Sequence, residues 1–504
     1  MTTFRLSAAI TSGLAALLLS GCHVGPRYRQ PPALAQAQAP PAYKEAPAAN
    51  SDAWKVAQPQ DAMLHGKWWE IYNDPDLNAL EDKLNIDNQT IKQYFENFME
   101  ARTLIAEARS QLYPTVTAGP SYTRTETSGH VGSAAPSAAI GKVANLFDLP
   151  ADVSWEPDLW GKVHNEISAA QYNAQLSEAD LENEKLTEQA TLALTFFEIR
   201  GQDSLRAVFD QTIAADRKAL DYTQAQYDTG VGDQISVVEA QNTLQNAQAA
   251  ATNLGVARAE YEHAIATLIG ADASSFSVPV KPLTATPPAV PIGVPSRLLE
   301  RRPDIAASER VMASANAQIG IAYAAYYPTL TLSADGGFES SVFGHLLDWS
   351  SRFWSVGPSV SETIYDGGLR RATINQYIFT YNADVANYRQ TVLTAFQQVE
   401  DYLAAVRILS TQTQQQQAAV QSAQKFLDLE TSRYQTGVDP YIDLVTAQTT
   451  LLSDQQTLAA LHTQTMTASV QLIEALGGGW DVTQLPSPAD VSKKLTPAQT
   501  AIQR

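Results

Sequence analysis

The sequence predicts a mainly helical chain with a membrane β portion, in which one structural unit occurs twice. Three observations support this prediction. Segments of the first half recur in the second half, short segments alternate apolar and polar residues, and long segments place apolar residues at heptad spacing. With 504 residues and 44% hydrophobic content, the chain is long enough to bury a sizeable core.

Two pairs of segments predict the duplication. The run Tyr-Pro-Thr-Val-Thr at 113–117 recurs as Tyr-Pro-Thr-Leu-Thr at 327–331, at the end of a helical stretch each time. The run Tyr-Asp-Thr-Gly-Val at 227–231 recurs as Tyr-Gln-Thr-Gly-Val at 434–438, and further matches follow it at the same offset. Each repeat is therefore predicted to contain a helix, two strands and two long helices that meet at the Thr-Gly turn.

The predicted strands have one apolar and one polar face. In the first repeat, Leu149, Ala151, Val153 and Trp155 alternate with Pro150, Asp152, Ser154 and Glu156. The Ser- and Gly-rich segments 126–142 and 334–350 are the predicted loops between paired strands. This alternation suits strands between lipid and a wet lumen, and a soluble β-sandwich is the alternative. Two strands per repeat are too few for a membrane barrel, which needs about eight, so spanning strands would require an oligomer.

The second repeat contains a predicted coiled-coil seam. Its two heptad positions are filled by Ile378, Val385, Val392, Val399 and Val406, and by Ile374, Tyr381, Tyr388, Ala395 and Tyr402. The opposite faces are polar but weakly charged, most of all at 414–417, where four glutamines follow one another. Such a face suits either a solvated surface or the wall of a water-filled tunnel, and the pattern alone leaves both open.

The N-terminus predicts export and lipid attachment. Residues 1–21 have the charged start, apolar middle and small-residue end of a secretory signal. Cys22, the only cysteine, follows directly and resembles the lipobox cysteine of bacterial lipoproteins, which is acylated and becomes the new N-terminus. His23 stands where an aspartate would retain such a lipoprotein at the inner membrane, so the resemblance implies outer-membrane delivery. The Pro-, Ala- and Gln-rich stretch over 22–65 is the predicted lipidated tether.

Composition argues against several functional classes. A net charge of −19 and a pI near 4.8 exclude a nucleic-acid partner, because binding to a polyanion needs concentrated Lys and Arg. The seven histidines are scattered without metal-ligand spacing, and no phosphate-binding loop or nucleophile elbow occurs. We therefore predict no catalytic residues, no cofactor and no metal site, so the chain is not expected to be an enzyme.

Several specific runs resemble one known family. These are Gly21-Cys22 followed by Val24-Gly25-Pro26, Trp68-Trp69, Asp74-Pro75, and the run Leu-Leu-Glu-Arg-Arg-Pro-Asp-Ile at 298–305. Together with the repeats, they resemble the outer membrane factor (TolC-like) family, in particular its NodT-type efflux lipoproteins. The resemblance implies a homotrimer with a 12-stranded outer-membrane β-barrel that continues as a periplasmic α-helical barrel. The predicted divisions are repeats at 66–280 and 281–485 and a flexible C-terminal tail at 486–504.

The resemblance also implies a function and candidate residues for it. It implies an outer-membrane exit channel that receives small toxic compounds from a periplasmic adaptor and an inner-membrane transporter. The adaptor-docking turns would be Thr229, Gly230 and Val231 in the first repeat and Thr436, Gly437 and Val438 in the second. The periplasmic gate would involve Asp443 and Glu239, with Thr446 where the family commonly has a second acid. For the glycines a purely structural role in the turn, and for Asp443 a role in helix initiation, are the alternatives.

Two other functions are considered from the sequence. One is the exit duct of a type I protein secretion system, which would have the same architecture. The other is a periplasmic structural lipoprotein with coiled coils and no pore, which would conduct no ions.

Overall fold

The computed structural model describes residues 24–34, 42–45, 66–126, 143–288, 290 and 295–496. The predicted signal segment 1–21, Cys22 and nearly all of the predicted loop 126–142 lie outside these ranges. The helices are α1 (Pro75–Asp87), α2 (Gln89–Ser110), α3 (Lys162–Asp228), α4 (Gln234–Leu268), α5 (Pro295–Arg301), α6 (Pro303–Ala324), α7 (Leu369–Gln435), α8 (Tyr441–Ala475) and α9 (Pro488–Val491). The strands are β1 (Thr115–Ala118), β2 (Ser121–Glu126), β3 (Val143–Trp155), β4 (Thr329–Ser340) and β5 (Arg352–Ser361).

The two repeats have the same order of elements and the same helix lengths. Helices α3 and α7 are each 67 residues long, and α4 and α8 are each 35 residues long. At 1.5 Å per residue, the longer helices extend about 100 Å. Helices α3 and α7 each begin after a glycine in the left-handed conformation, Gly161 or Gly368, which follows the last strand of the repeat after a short connection. The predicted order of helix, strands and two long helices is therefore confirmed in both repeats.

The strands form one antiparallel sheet with open edges. Both β1 and β2 pair with β3, which pairs with β4, and β4 pairs with β5. The first predicted strand is interrupted at Gly119 and Pro120, and proline is tolerated there because an edge strand has backbone N–H groups without a partner strand. None of the helices in the described ranges combines the length and apolar character that a membrane crossing requires.

The sheet register separates an apolar face from a polar one. Val116 pairs with Val153, Val153 with Ala334, and Ala334 with Val356, so one apolar row crosses β1, β3, β4 and β5. The neighbouring row is polar and consists of Thr117, Asp152, Asp335 and Ser355. Side chains of one row point to one face and those of the next row to the other. The predicted alternation is thus present in the rows nearest the helices, whereas at the far end Arg124 and Arg352 lie on the apolar face and Phe353 lies on the polar face.

The predicted loop at 334–350 is wrong in its first part. Strand β4 continues through Asp335, Gly336 and Gly337 as far as Ser340, so that the loop before β5 covers only 341–351. A Cβ atom on Gly337 would lie 2.1 Å from the carbonyl oxygen of Leu149 on β3. Glycine is therefore needed here for close approach between two strands and does not mark a turn.

The main core lies where the long helices pass the short N-terminal helices. Trp68 and Trp69 pack edge to face at 5.9 Å and are buried together with Phe196 and Phe197 of α3. Part of the heptad seam of α7 enters the same core, where Tyr388, Val392, Ala395 and Val399 are buried and Val385 and Val406 are partly buried, whereas Ile374 is buried outside this core. The predicted seam therefore forms part of the core within one chain.

Two arginines tie helix ends into this core. Arg200 is buried on α3, donates to Asp76 at 2.8 Å and to the Pro279 carbonyl at 2.6 Å, and lies over the Phe196 ring. Arg302, in the run that carries the family resemblance, donates to Asp304 at 2.6 Å, to Gln398 of α7 at 2.8 Å and to the Ala475 carbonyl that ends α8 at 3.0 Å. These contacts join the start of α6 to the two helices of its repeat.

The first and last described segments pack against the helices. The N-terminal strap, residues 24–34, begins beside the strand–helix junction, where the Val24 amide donates to the Trp160 carbonyl at 3.2 Å. At the other end, α9 lies against α2 and α3 with Val491 buried, and Arg109 donates to the Ser492 carbonyl at 3.1 Å. Within the predicted flexible tail at 486–504, side chains of the body donate to the carbonyls of Pro486, Val491 and Ser492, and the flexibility of the tail stays a prediction.

Candidate gate and docking site at the helix–helix turns

The two helical hairpins end in turns of the same backbone geometry. After α3, the Val231 amide donates to the Gln226 carbonyl at 3.0 Å and the Gly230 amide to the Tyr227 carbonyl at 2.9 Å. After α7, the equivalent bonds run from Val438 to Arg433 at 2.9 Å and from Gly437 to Tyr434 at 3.0 Å. This is the Schellman pattern, in which a left-handed residue closes the helix end. Gly230 and Gly437 provide it with φ of 77° and 72°.

The threonines of both turns cap their own helices. The Thr229 hydroxyl donates to the Ala225 carbonyl at 2.9 Å, and the Thr436 hydroxyl donates to the Ser432 carbonyl at 3.0 Å. The valines that follow the glycines are left without cover, with Val231 80% and Val438 64% exposed. Each turn therefore presents an apolar tip on a rigid backbone.

The three candidate gate residues lie just beyond these turns. Asp443 is exposed in the first turn of α8, where its carboxylate also favours the positive end of the helix dipole. Glu239 is half-buried on α4 and lies near Tyr441. Thr446 is exposed, and its hydroxyl donates to the Ile442 carbonyl of its own helix at 2.8 Å. Within the described residues, no hydrogen bond or ion pair joins Asp443 to Glu239, so one protomer does not bring them into contact.

The second turn carries an ion pair that the sequence did not indicate. The Arg433 guanidinium binds the Asp439 carboxylate through both oxygens, with Nη2 2.8 Å from Oδ1. This bond holds the pKa of Asp439 below its usual range. Desolvation and the neighbouring Asp439 raise the pKa of Glu430. The negative charge of Asp443 raises this pKa further. The acids near the tip therefore share one cation.

A tyrosine cluster connects the two hairpins within one chain. Tyr434 is buried at the end of α7, donates its hydroxyl to Gln226 Oε1 of α3 at 2.9 Å, and lies 3.3 Å from the Thr223 hydroxyl oxygen. Its ring packs against Tyr222 at 5.7 Å and Tyr441 at 5.5 Å. Sequence reasoning read Tyr434 only as a repeat marker. No sequence signal separates it from its repeat counterpart Tyr227, which is exposed and makes no such bond within the described residues.

A buried acid lies beside this cluster. Asp216 on α3 is 2% exposed, and one of its carboxylate oxygens has no hydrogen-bond partner. Burial raises the pKa of this carboxyl to about 6. Its charge would also raise the pKa of Tyr441, where burial is the larger cause. The hairpins therefore contain a group that titrates just below neutral pH.

The polar face of α8 continues away from the turn as a groove of hydroxyls. Thr446, Thr449, Thr450 and Ser453 line a cavity of about 450 Å³ with Val445 and Asp454. The hydroxyls of the three threonines donate to carbonyls of the same helix at 2.8 Å, so this face is polar, with Asp454 as the one carboxylate in the lining. In the described ranges, no group of three or more His, Cys, Asp and Glu side chains is placed to hold a metal ion.

Fold and site together define a class of protein. Paired long hairpins, joined to a sheet with one apolar and one polar face, are the architecture of a membrane duct with a long helical extension. The chain belongs to the outer membrane efflux protein family, whose model matches residues 81–271 and again 294–478. It is an outer-membrane efflux channel with a long periplasmic helical portion.

Curated relatives are similar over nearly the whole chain. The toluene efflux pump outer membrane protein TtgC of Pseudomonas putida is 28% identical over 481 residues, which cover 95% of this chain and 96% of the relative. The outer membrane protein OprJ of Pseudomonas aeruginosa is 29% identical over 494 residues, with 94% and 96% covered. The resemblance predicted from the sequence is thereby confirmed.

Solved structures agree on the fold. The outer-membrane channel OprN superposes with a TM-score of 0.82 at 26% identity, covering 91% of this chain and all of that one. The Campylobacter jejuni CmeC outer membrane channel superposes with a TM-score of 0.81 at 21% identity, covering 95% of this chain and 100% of that one. At that identity the similarity shows the fold alone. The predicted fold class is confirmed as the mainly helical, duplicated unit of an outer-membrane channel.

Proposed function

We propose that three copies of this chain form one passive exit duct of a tripartite efflux pump. The open edges of the sheet support this proposal, because β5 on one side and β1 with β2 on the other have no partner on their outer edge within the described chain. If β1 and β2 are counted as the two parts of one interrupted strand, three copies would supply twelve strands, which would satisfy both edges and exceed the roughly eight that a closed membrane sheet needs. The repeats at 66–280 and 281–485 would each contribute one hairpin to the periplasmic tunnel.

The proposed cargo is a range of small toxic compounds. Relatives of this chain are named as outer-membrane proteins of toluene, solvent and antibiotic efflux pumps. The family match and these names favour efflux over type I protein secretion. The duct itself supplies no energy in this proposal, so transport is driven by an inner-membrane transporter joined to the duct through a periplasmic adaptor.

The proposed adaptor-docking surface is the pair of turns. Thr229, Gly230 and Val231 and their counterparts Thr436, Gly437 and Val438 present two nearly identical apolar tips, which would offer repeated adaptor subunits equivalent contacts. The matched geometry of the two turns is the observation that supports this role. Replacing Val231 and Val438 with aspartate is expected to abolish adaptor cross-linking while leaving the trimer intact.

The proposed periplasmic gate is the ring that three copies of Asp443 would form inside the narrow end of the tunnel. The side chain of Asp443 is exposed just beyond the tip and has no bonded partner in the described chain, and both observations support this role. Glu239 would add charge from the other hairpin, and Thr446 would line the polar wall that follows.

Lipidation of Cys22 is proposed as the anchor to the outer membrane, and a Cys22→Ala variant would lose the acyl mass.

The experiment that tests the function is accumulation of dyes, antibiotics and aromatic solvents in cells lacking this gene. We expect accumulation to rise and the wild-type gene to reverse it. Unchanged accumulation, together with loss of a secreted protein from the medium, would replace efflux by type I secretion.

A further inference from the structure

A cavity of about 680 Å³ lies between the N-terminal strap and helices α6 and α7. This volume is within the range of about 300–1,000 Å³ that is typical of small-molecule sites. Its lining consists of Gly25, Pro26, Arg27, Arg29, Asn316, Ile319, Tyr323, Ile378, Tyr381 and Asn382. Helix α6 ends at Ala324, directly before strand β4 begins at Thr329, so the cavity lies at the membrane end of the helices.

The strap is held so that two arginines face this cavity. Tyr28, between them, points into the body and donates its hydroxyl to Glu309 Oε1 at 2.5 Å. The Pro26 carbonyl accepts from Asn316 Nδ2 at 2.9 Å. Gly25 lies so close to α6 that a Cβ atom there would be 2.6 Å from the Gly320 Cα. The body thus fixes the strap on both sides of Arg27, which leaves the two guanidinium groups on the cavity side.

The charge of this cavity contrasts with that of the whole chain. The protein has a net charge of −19, yet the cavity lining contains two arginines and no carboxylate. Arg27 and Arg29 are exposed and have no ion pair among the described residues, although most arginines near the core are paired. Guanidinium groups bind phosphate through parallel hydrogen bonds, and here amide and phenol groups lie beside them. The lining therefore suits a phosphate group.

The apolar part of the lining and the position of the cavity indicate the source of that phosphate. Ile319 and Ile378 provide an apolar wall next to the polar groups. The strap begins only two residues after Cys22, against the strand–helix junction at Trp160. In an outer-membrane channel this junction lies at the level of the periplasmic lipid head groups, where paired basic residues are attracted to anionic lipid.

We propose that this cavity binds the phosphate head group of an anionic phospholipid from the periplasmic leaflet of the outer membrane. The inference rests on the outer-membrane position of the channel. Arg27 and Arg29 would hold the phosphate, Tyr323 and Tyr381 would donate to its remaining oxygens, and an acyl chain would run along the isoleucines. A bound lipid would hold the strap on α6 and α7 independently of any acyl group on Cys22.

The test is lipid binding to the intact mature protein in detergent, followed by native mass spectrometry. Phosphatidylglycerol, phosphatidylethanolamine and inorganic phosphate are the probes. We expect wild type to prefer phosphatidylglycerol over phosphatidylethanolamine. Each basic residue near an anionic lipid contributes about 1 kcal/mol to binding. The Arg27→Gln, Arg29→Gln variant lacks two such residues and should therefore bind phosphatidylglycerol about 30-fold more weakly.

A matched control removes the same charge elsewhere. Arg217 and Lys218 are exposed on the periplasmic part of α3 and form no ion pair among the described residues, so Arg217→Gln with Lys218→Gln should bind lipid as wild type does. The Arg27→Lys, Arg29→Lys variant keeps the positive charge but loses the planar guanidinium that donates two parallel hydrogen bonds, and it should bind with intermediate affinity. Retention of phosphatidylglycerol by the double glutamine variant, or equal binding of both lipids by wild type, would overturn the proposal.

Two other results would overturn it in different ways. Displacement of phosphatidylglycerol by an equal concentration of inorganic phosphate would indicate a site for free anions. Loss of association between copies in the glutamine variant, without loss of lipid, would indicate that a second copy covers the cavity. Channel current measured on the same wild-type sample tests the proposed duct separately, because a protein without current can still be scored for lipid binding.

Discussion

Replacing Tyr434 with phenylalanine is expected to loosen the contact between the two hairpins. The lost hydroxyl donates to Gln226 Oε1 at 2.9 Å and lies 3.3 Å from the Thr223 hydroxyl oxygen. A neutral hydrogen bond contributes about 1 kcal/mol net, and the half-buried Gln226 can regain water, so the cost stays near that value. Three independent copies in the proposed trimer would lose about 3 kcal/mol, which shifts an opening equilibrium by about 100-fold.

Single-channel recording and hydrogen exchange would detect this change. In planar bilayers, we expect a higher open probability for Tyr434→Phe than for wild type. In the detergent-solubilised protein, amides around the α7–α8 turn should exchange about fivefold faster for each 1 kcal/mol lost by the local closed state. The core of the molecule around Phe196 should exchange as in wild type.

Tyr227→Phe is the matched control. Tyr227 is the repeat counterpart of Tyr434, is 42% exposed and makes no hydroxyl contact within the described residues. Its variant loses the same atom and should behave as wild type. Unchanged open probability and exchange in Tyr434→Phe, or equal effects in both variants, would refute the reasoning that this hydroxyl holds the hairpins together.

Three further predictions concern charge. Asp443→Ala with Glu239→Ala should lower cation selectivity in planar bilayers, because the proposed ring loses its carboxylates, and unchanged reversal potentials would remove the ring hypothesis. Asp216 keeps its proton up to a pKa of about 6 in the folded state, against 3.8 ordinarily, so the free energy of unfolding should fall by about 3 kcal/mol as pH rises through this window. Asp216→Asn should abolish that fall and melt at a higher temperature above pH 6, whereas a persistent pH slope in thermal unfolding would assign it to another group. Arg200→Ala should lower the free energy of unfolding by about 1–3 kcal/mol, because it removes the buried guanidinium that donates to Asp76 and to the Pro279 carbonyl, while Asp76 is 30% exposed and keeps its ion pair with Lys281; a loss below about 0.5 kcal/mol in denaturant titrations would show that these bonds are dispensable.

Local signals in the sequence predicted the repeat and its turns well. Gly230 and Gly437 mark helix ends because a left-handed residue is needed there, and that requirement is independent of the rest of the fold. The seam through Val392 and Val399 was readable because burial on one helix face repeats every seven residues. Alternation along β3 was equally local, since the face of the sheet to which a side chain points depends only on whether its position in the strand is odd or even.

Features that depend on packing between distant segments were not readable. Gly336 and Gly337 looked like a turn, and only the approach of β3 shows why glycines continue the strand. Tyr434 meets Gln226 across 208 residues, and no local pattern encodes that contact. The contacts of the tail around Val491 were also not readable, because side chains of α2 and α3 that are distant in sequence bind its carbonyls.

The candidate site was predicted in position but not in its contacts. Asp443, Glu239 and Thr446 all lie beside the tips, as their distance from the turns implied. Their roles remain predictions, because three copies would have to meet around the tunnel axis. The Arg433–Asp439 ion pair and the buried Asp216 change the charge at the tips, and both depend on side-chain placement across a turn or between helices.

Ion conductance of the purified protein is the most direct test of the claim that this chain forms a duct. Wild-type protein, checked for trimers by cross-linking and for helix content by circular dichroism, would be added to a planar bilayer. The account predicts discrete current steps, with the Tyr434→Phe variant open more often. Folded trimers that insert but pass no current would contradict it and would favour a structural lipoprotein without a pore.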